Sequence, residues 1–368
     1  MNIKSKSVLF FLPSLSGGGA ERSIIETANT FSKNNHEVFL LISKTSNVYF
    51  SEISPKIKII RLNSKRTILS LFDIRRELIN IRPEFIYSAL IYANILIIFI
   101  TKFLIFDKSF RSKVFISERN NIDSLKQSSL GRIFFYLAKF FYRYSDGVIA
   151  VSDGLREAVV EKFRLPQSQV YSVPNGVDLL KINRLKEIQL DLPYNYKDRK
   201  YIVSVGRLTK QKDYVSIINT FKILKDQDLE IDLVVLGTGE EEEFLTRLVQ
   251  KQNISNVFFL GFLPNPFPVI KNAEIFLSMS KWEGMPNAHI QALACNTYIV
   301  STDCKFGPRE IIGSDKCGVL CNISDYKAAA NLIKDYLISQ KIDLSPIKRS
   351  EYFSIEKSYR KLVEIFNK

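Results

Sequence analysis

The sequence predicts an α/β protein built from two doubly wound, Rossmann-like domains. Two series of short apolar runs alternate with helical periods, glycine-bearing turns follow several of those runs, and 368 residues exceed what one ordinary core holds. The expected division is a first domain at 1–184 and a second at 185–351, with a closing helix at 352–368 that packs back on the first.

The opening element is the continuous apolar run at 8–12, the pattern of a strand buried on both faces of a parallel sheet. Lys4 and Lys6 before it and the small residues after it imitate a secretory signal. The run is short, ends at Pro13 and leads into a helix expected over 20–32, so it reads as a first buried strand. Strands follow near 38–42, 57–62, 85–90, 114–117 and 148–151, with helices at 69–80, 92–106, 130–144 and 154–163 between most of them. A polar, Pro-containing stretch around 185–200 reads as the linker. After it come strands at 201–205, 231–236, 257–260, 275–277 and 298–301, and a terminal helix at 355–366. Paired Rossmann-like halves bind ligands at the carboxyl ends of their strands.

Charge is unevenly distributed. Residues 1–190 carry 28 Lys+Arg against 16 Asp+Glu, and the remainder 24 against 22, so nearly all of the net +14 belongs to the first half. Such a field attracts nucleic acid, anionic lipid headgroups or acidic substrates. No helix-turn-helix, RNA-recognition or zinc-finger signature accompanies it, which argues against nucleic acid. Instead, residues 132–144 hold Phe134, Phe135, Tyr136, Phe140, Phe141, Tyr142 and Tyr144, with Arg132, Lys139 and Arg143 on one helical stripe. A basic, aromatic helix of this kind either lies in a membrane interface or packs on a core with one solvated stripe, and the expected partner is an anionic membrane surface. Residues 85–106 contain one charge, Lys102, but Ser88, Asn94 and Thr101 divide them into a strand and a helix rather than a span. Cys295, Cys304, Cys317 and Cys321 form no Cys-x-x-Cys pair, which suits a reduced cytoplasm.

The chemistry is expected at strand ends. Glu283-Gly284-Met285-Pro286-Asn287 connects the strand at 275–277 to a helix opening at about Ala288. The first-turn amides and dipole of such a helix favour a bound anion, so a phosphorylated small molecule is expected here, with Gln291 two turns along. Gly206-Arg207-Leu208 with Lys210 and Lys212 follows the strand at 201–205, where cations can neutralise charge that develops on a diphosphate leaving group. Gly17-Gly18-Gly19-Ala20-Glu21 permits close ligand approach. It is not a dinucleotide fingerprint, because Arg22 holds the third glycine position and no ribose-binding acid ends the second strand. The acids at 241–243 suit a helix N-terminus, and His36 and His289 read as loop and packing residues. Two histidines and scattered cysteines make no metal constellation, and no metal or cofactor is expected.

Six spaced motifs carry a family resemblance: Gly-Gly-Gly-Ala-Glu-Arg at 17–22, Val-Ser-Asp-Gly-Leu at 151–155, Pro-Asn-Gly-Val-Asp at 174–178, Val-Gly-Arg-Leu-Thr-Lys-Gln-Lys at 205–212, Glu-Gly-Met-Pro-Asn at 283–287 and Ser-Thr-Asp-Cys-Lys-Phe-Gly-Pro-Arg-Glu-Ile at 301–311. The set resembles family 4 of the retaining glycosyltransferases, of the GT-B fold, over nearly the whole chain. The resemblance implies a nucleotide-sugar donor on the second domain and a glycan or lipid-linked acceptor on the first. Arg207 and Lys212 would hold the diphosphate and Glu283 the sugar. Gly206, Gly284, Met285, Pro286 and Asn287 would line the donor, and Gly17 and Gly18 would face it from the first domain. Arg119 and Asn120 stand where many relatives place a histidine near the sugar, and Gln291 replaces the family's second glutamate on the ribose.

What the resemblance implies is a retaining hexosyl or N-acetylhexosaminyl transfer from a UDP-sugar to a lipid-linked or envelope glycan. The enzyme would be cytoplasmic and peripheral on the inner face of the cell membrane. Two alternatives stay open: a non-catalytic relative that binds a partner glycosyltransferase or a glycan, and a nucleotide-sugar epimerase, for which Glu118 is the spare first-domain carboxylate.

Overall fold

The structure is a computed structural model that describes residues 5–13, 15, 18–42, 49–62, 70–313, 317–339 and 346–368. The chain divides into two compact units, Met1–Gly176 with Ile355–Lys368, and Val177–Ser354.

The first unit runs β1 (Ser7–Leu12), α1 (Gly19–Lys33), β2 (Glu37–Ile42), β3 (Lys58–Arg61), α2 (Ser70–Ile81), β4 (Phe85–Ala89), α3 (Ile91–Phe99), β5 (Lys113–Glu118), α4 (Ser129–Phe141), β6 (Gly147–Ala150), α5 (Asp153–Phe163) and β7 (Val170–Ser172). The second continues with α6 (Leu179–Leu185), β8 (Tyr201–Val205), α7 (Tyr214–Asp226), β9 (Asp232–Leu236), α8 (Glu242–Lys251), β10 (Val257–Phe259), α9 (Phe267–Asn272), β11 (Ile275–Ser278), α10 (Asn287–Ala294), β12 (Tyr298–Thr302), α11 (Pro308–Ile312), β13 (Gly318–Cys321), α12 (Tyr326–Ile338) and α13 (Pro346–Ser350). The last helix, α14 (Ile355–Phe366), returns to the first unit.

In the first unit the strand order is β3-β2-β1-β4-β5-β6-β7, with every pairing parallel. This is a doubly wound sheet with helices on both faces, which explains why Val8 to Leu12 are all at most 1% exposed. The helix expected at 92–106 is α3 followed by a π-helical turn at Ile100–Leu104. Leu90, which connects β4 to α3, sits at φ 79°, a conformation that costs a side-chain-bearing residue energy and marks a constrained junction at the carboxyl end of the strand.

α14 completes this core. Phe366 is 1% exposed, with its ring centroid 4.5 Å from Phe115 and 5.1 Å from Phe85. Tyr359 packs edge-on against Phe31 at 4.9 Å and its hydroxyl meets Nε2 of His36 at 2.9 Å, so His36, a residue of the α1–β2 loop as expected, is buried and structural. The two chain crossings are tied to each other: Val177 N–H donates to the Phe353 carbonyl at 2.9 Å, and Ser358 Oγ donates to the Pro174 carbonyl at 2.9 Å. A Cβ on Gly176 would lie 2.6 Å from Ile355 Cα, so only glycine admits this approach.

The second unit has the order β10-β9-β8-β11-β12-β13, again all parallel. The division falls at Gly176/Val177 and not at the expected 184/185, because α6 packs on α9 and α10. Lys186 Nζ donates to the Ala294 carbonyl at 3.1 Å and Asn265 Nδ2 to the Leu185 carbonyl at 3.0 Å. The stretch at 185–200 is likewise not a free linker. Its aromatic residues Tyr194 and Tyr196 are buried, and Tyr194 donates to Asp232 Oδ2 at 2.8 Å.

His289 lies in this unit's interior, its ring edge-on to Phe276 and Nε2 2.8 Å from Ser301 Oγ. Burial, with a smaller push from Lys212, lowers it to about 3, so it is neutral at ordinary pH.

Two stability measurements follow from these contacts. Phe366→Ala removes the ring that fills the space between Phe85 and Phe115, and should cost the first unit about 3–5 kcal/mol, read as a lower urea midpoint at unchanged slope. For His289 the unfolded chain binds a proton near pH 6.5 and the folded chain only near 3. Its stabilising effect is therefore complete above about 6.5 and is lost as pH falls through that window, by at most about 1.4 kcal/mol per pH unit. Thermal melts of His289→Gln should show a shallower loss than the native chain over that range, and parallel curves would contradict the assignment.

Candidate functional site

The site is built at the carboxyl edge of the second unit's sheet, where the β8–α7 loop meets the β11–α10 turn. Glu283 in the turn is 7% exposed, and a buried carboxylate needs partners. It receives Lys212 Nζ from the β8–α7 loop as an ion pair, and Ser280 Oγ donates to the same oxygen at 2.8 Å. Main-chain bonds fix this meeting: Lys281 N–H donates to the Gln211 carbonyl at 2.8 Å, and Gln211 Nε2 donates to the Trp282 carbonyl at 2.8 Å. Thr302 Oγ1, at the end of β12, donates to the Ser280 carbonyl at 2.6 Å.

Two glycines permit the close approaches. Gly307, at φ 93°, brings the β12–α11 loop against the turn. A Cβ there would sit 2.6 Å from Pro286 Cδ and 2.8 Å from the Gly284 carbonyl oxygen. Gly237, at φ 135°, lies against Gly206, where a Cβ would collide with the Gly206 carbonyl, and the loop after β9 is held by Leu208 N–H donating to the Thr238 carbonyl at 3.0 Å. Gly206 itself is anchored by the Tyr214 hydroxyl, which donates to its carbonyl at 3.1 Å.

The local charge is positive. The loop and turn carry Arg207, Lys210, Lys212 and Lys281 against Asp213 and Glu283. Asp213, in the left-handed region at φ 49°, accepts from Ser216 Oγ at 2.8 Å and pairs with Lys281 at 3.6 Å. Arg207 and Lys210 are exposed, and among the described residues no carboxylate pairs with either. The surplus suits an anion. α10 opens at Asn287 behind Pro286, whose missing N–H costs nothing at a helix start. Met285 and Gln291 are buried, and among the described residues no hydrogen bond engages the Gln291 side-chain amide. His289, neutral and sealed, offers no base.

In the first unit, Gly18 caps α1 and its N–H donates to Glu21 Oε2 at 3.0 Å, while Gly17 lies outside the described residues. Arg119, following β5, is half-buried and held by neutral partners: it donates to Asn175 Oδ1 at 2.8 Å, to Ser23 Oγ at 2.9 Å and to the Tyr87 hydroxyl at 3.3 Å. The guanidinium is thus oriented without a carboxylate among the described residues. Asn120 is exposed, and its Oδ1 accepts from the Asn121 N–H at 2.8 Å.

Next to Arg119, sequence reasoning missed a polar cluster. Glu118 is 5% exposed, and burial pushes its carboxyl up to about 7. It accepts from the Tyr142 hydroxyl, and Asn94 Nδ2 donates to that hydroxyl at 3.1 Å and to the Ser117 carbonyl at 3.0 Å. Its partners come from α3 and from the end of α4, so no local spacing announces it. Held in this way, Glu118 ties β5 to the helices and presents no free carboxylate for acid/base work.

Residues 17–180 match Glycosyltransferase Family 4 and residues 192–352 match Glycosyl transferases group 1, so the two together cover most of the chain. An uncharacterized glycosyltransferase of Methanocaldococcus jannaschii is 36% identical over 60% of this chain and 54% of its own length. The N-acetylgalactosamine-N,N'-diacetylbacillosaminyl-diphospho-undecaprenol 4-alpha-N-acetylgalactosaminyltransferase of Campylobacter jejuni is 31% identical over 61% of this chain and 58% of its own. The chain thus spans a little over half the length of these curated relatives. HepE of Anabaena, solved with UDP and glucose, superposes with a TM-score of 0.79 at 16% identity over 98% of this chain and 99% of that one. Its fold is the one described above, two Rossmann-like parallel-sheet domains. The chain belongs to the family 4 glycosyltransferases, with the GT-B fold.

Proposed function

We propose that this chain transfers a hexose or N-acetylhexosamine from a UDP-sugar, with retention of configuration, to a hydroxyl of a lipid-linked oligosaccharide or envelope polysaccharide precursor, as a peripheral protein on the inner face of the cell membrane. The observation that carries the reading is the group at the carboxyl edge of the second sheet: two exposed cations without a carboxylate partner among the described residues, Arg207 and Lys210, beside the Lys212–Glu283 pair. A diphosphate leaving group gains charge as its bond to the sugar breaks, and fixed cations stabilise that charge without reorganising. Arg207 and Lys212 take this role, and Glu283 turns its carboxylate to the sugar hydroxyls once Lys212 engages phosphate. Gly206, Gly284, Met285, Pro286, Asn287 and Gln291 line the donor.

No side chain in the group is positioned as a nucleophile, and His289 is too buried to act as a base. The reaction is therefore a front-face displacement. The acceptor oxygen bonds to the anomeric carbon on the face that the phosphate oxygen leaves, and that oxygen takes the acceptor's proton. The positive charge available at Lys210, Arg207 and Lys212 meets the diphosphate without a metal ion. Support for the donor comes from HepE, bound to UDP and glucose. Support for the acceptor and for retention comes from the Campylobacter relative, named for a diphospho-undecaprenol acceptor and an alpha linkage. On the first unit, Gly17 and Gly18 are assigned to donor binding, and Arg119 and Asn120 to the acceptor or the sugar.

The direct test is UDP release from UDP-sugars in the presence of a polyprenyl-diphosphate glycan, with the product's anomeric configuration read by NMR. Release with no common donor, or an inverted product, would sink the reading. Arg207→Ala and Lys212→Ala should each lower the transfer rate roughly 10²–10³-fold. Gln291→Glu should tighten UDP-sugar binding by roughly threefold to tenfold in calorimetry, since a charged acceptor makes the stronger hydrogen bond to a ribose hydroxyl. Unchanged affinity would show that this position does not read the ribose.

A further inference from the structure

We propose that the outward face of α4, joined to the turn that ends α3, docks the protein on a bilayer containing anionic phospholipid. The proposal rests on the reading of a lipid-linked acceptor and names the surface that meets its membrane.

α4 has three faces. Gly131, Phe135 and Ala138 are buried in the first unit's core. Leu130, Ile133, Tyr136 and Phe140 point to solvent, from 51% to 67% exposed, and Leu137 and Tyr144 are more than a third exposed. The π-helical turn widens this apolar face by placing Phe103 beside it, and Phe106 just beyond is 82% exposed. The rings form one cluster: Phe103 lies 5.8 Å from Phe141 and 5.3 Å from Tyr144, and Tyr144 lies 5.8 Å from Phe140. A soluble surface rarely leaves so contiguous an apolar patch in water, and such a patch marks an interaction site.

Charge decides what covers it. Arg132, Lys139 and Arg143 recur on one side of the helix, between its apolar and its buried faces, and no acidic residue occurs between Asp123 and Asp146. The acids at the margin are already neutralised: Asp123 by Lys162, Asp146 by Lys102 at 3.1 Å, and Asp107 by Arg82 at 2.7 Å. Lys108 and Arg111, both exposed and without a carboxylate partner among the described residues, follow Phe106. A second copy of the chain on this face would set like charges against one another, which disfavours a dimer. An anionic bilayer satisfies both features. The apolar side chains enter the boundary of the acyl chains, the tyrosine hydroxyls stay at headgroup level, and the cations meet phosphate. No helix among the described residues is long and apolar enough to cross a membrane, so contact is by lying on the surface.

The test is co-sedimentation of the full chain with vesicles of phosphatidylcholine alone and of phosphatidylcholine mixed with phosphatidylglycerol, with UDP binding measured on the same preparations. Binding to the mixed vesicles, weakened by salt, is expected. Ile133→Asp with Phe140→Asp should abolish it, while Arg132→Gln and Arg143→Gln should each weaken it roughly fivefold. Unchanged circular dichroism and UDP affinity would show that the variants fold. Equal sedimentation with both vesicle types, or a double variant that binds as well as the native chain, overturns the proposal. So does self-association through this face in place of vesicle binding. Lost UDP binding in the native chain would instead overturn the catalytic reading and leave the membrane surface standing.

Discussion

A carboxylate as buried as Glu283 is tolerable only with a cation and a donor in place, and meeting that requirement organises the second unit's functional edge. Lys212 comes from the loop after β8 and Ser280 from the end of β11, so satisfying one side chain draws two loops together. The main-chain bonds between residues 211 and 281–282 and the reach of Thr302 to Ser280 then hold the arrangement from three strands. Because Lys212 is taken up by Glu283 while Arg207 and Lys210 are not, the edge carries a standing positive surplus. A ligand with more than one negative charge can compete for Lys212, and in doing so it releases Glu283 for hydrogen bonding.

The two units use charge for different ends. In the second, acids nearly balance the cations, of which Arg207, Lys210, Lys212 and Lys281 gather at a strand edge. In the first, cations outnumber acids and are spread, and Arg132, Lys139 and Arg143 border an apolar helix face. Arg119 is an exception: three neutral groups fix its orientation, so its charge is neither spread nor cancelled. The neighbouring Glu118, which could have cancelled it, is engaged by Tyr142 and Asn94.

Much of this was legible in the sequence, because both sheets are parallel and buried and their central strands read as uninterrupted apolar runs. β8 and α14 fall where periodicity puts them, at Tyr201–Val205 and Ile355–Phe366. The strands that escaped are edge strands. β7 is three residues with a serine, and β13 begins with a glycine, so neither presents a run long enough to stand out. The boundary shifted because a polar stretch with Pro193 looks like a linker until Tyr194 and Tyr196 turn inward. The residues of the candidate site were found by motif, but their pairings were not. That Glu283 binds Lys212, and that Tyr142 closes on Glu118, are facts of tertiary approach between residues far apart in sequence.

The place of α14 has a consequence for how the protein is made. The second unit is one continuous stretch, whereas the first is assembled from two stretches on either side of it, with Tyr359, Leu362, Ile365 and Phe366 among its core residues. On the ribosome, the strands of the first sheet must wait for α14, which is translated after the whole second unit. The later unit can close as soon as it emerges, while the earlier sheet, complete in its strands, remains without the aromatic ring that lies over Phe85 and Phe115. Emergence of α14, rather than of the first sheet's strands, is the event that allows the first unit to reach its native state.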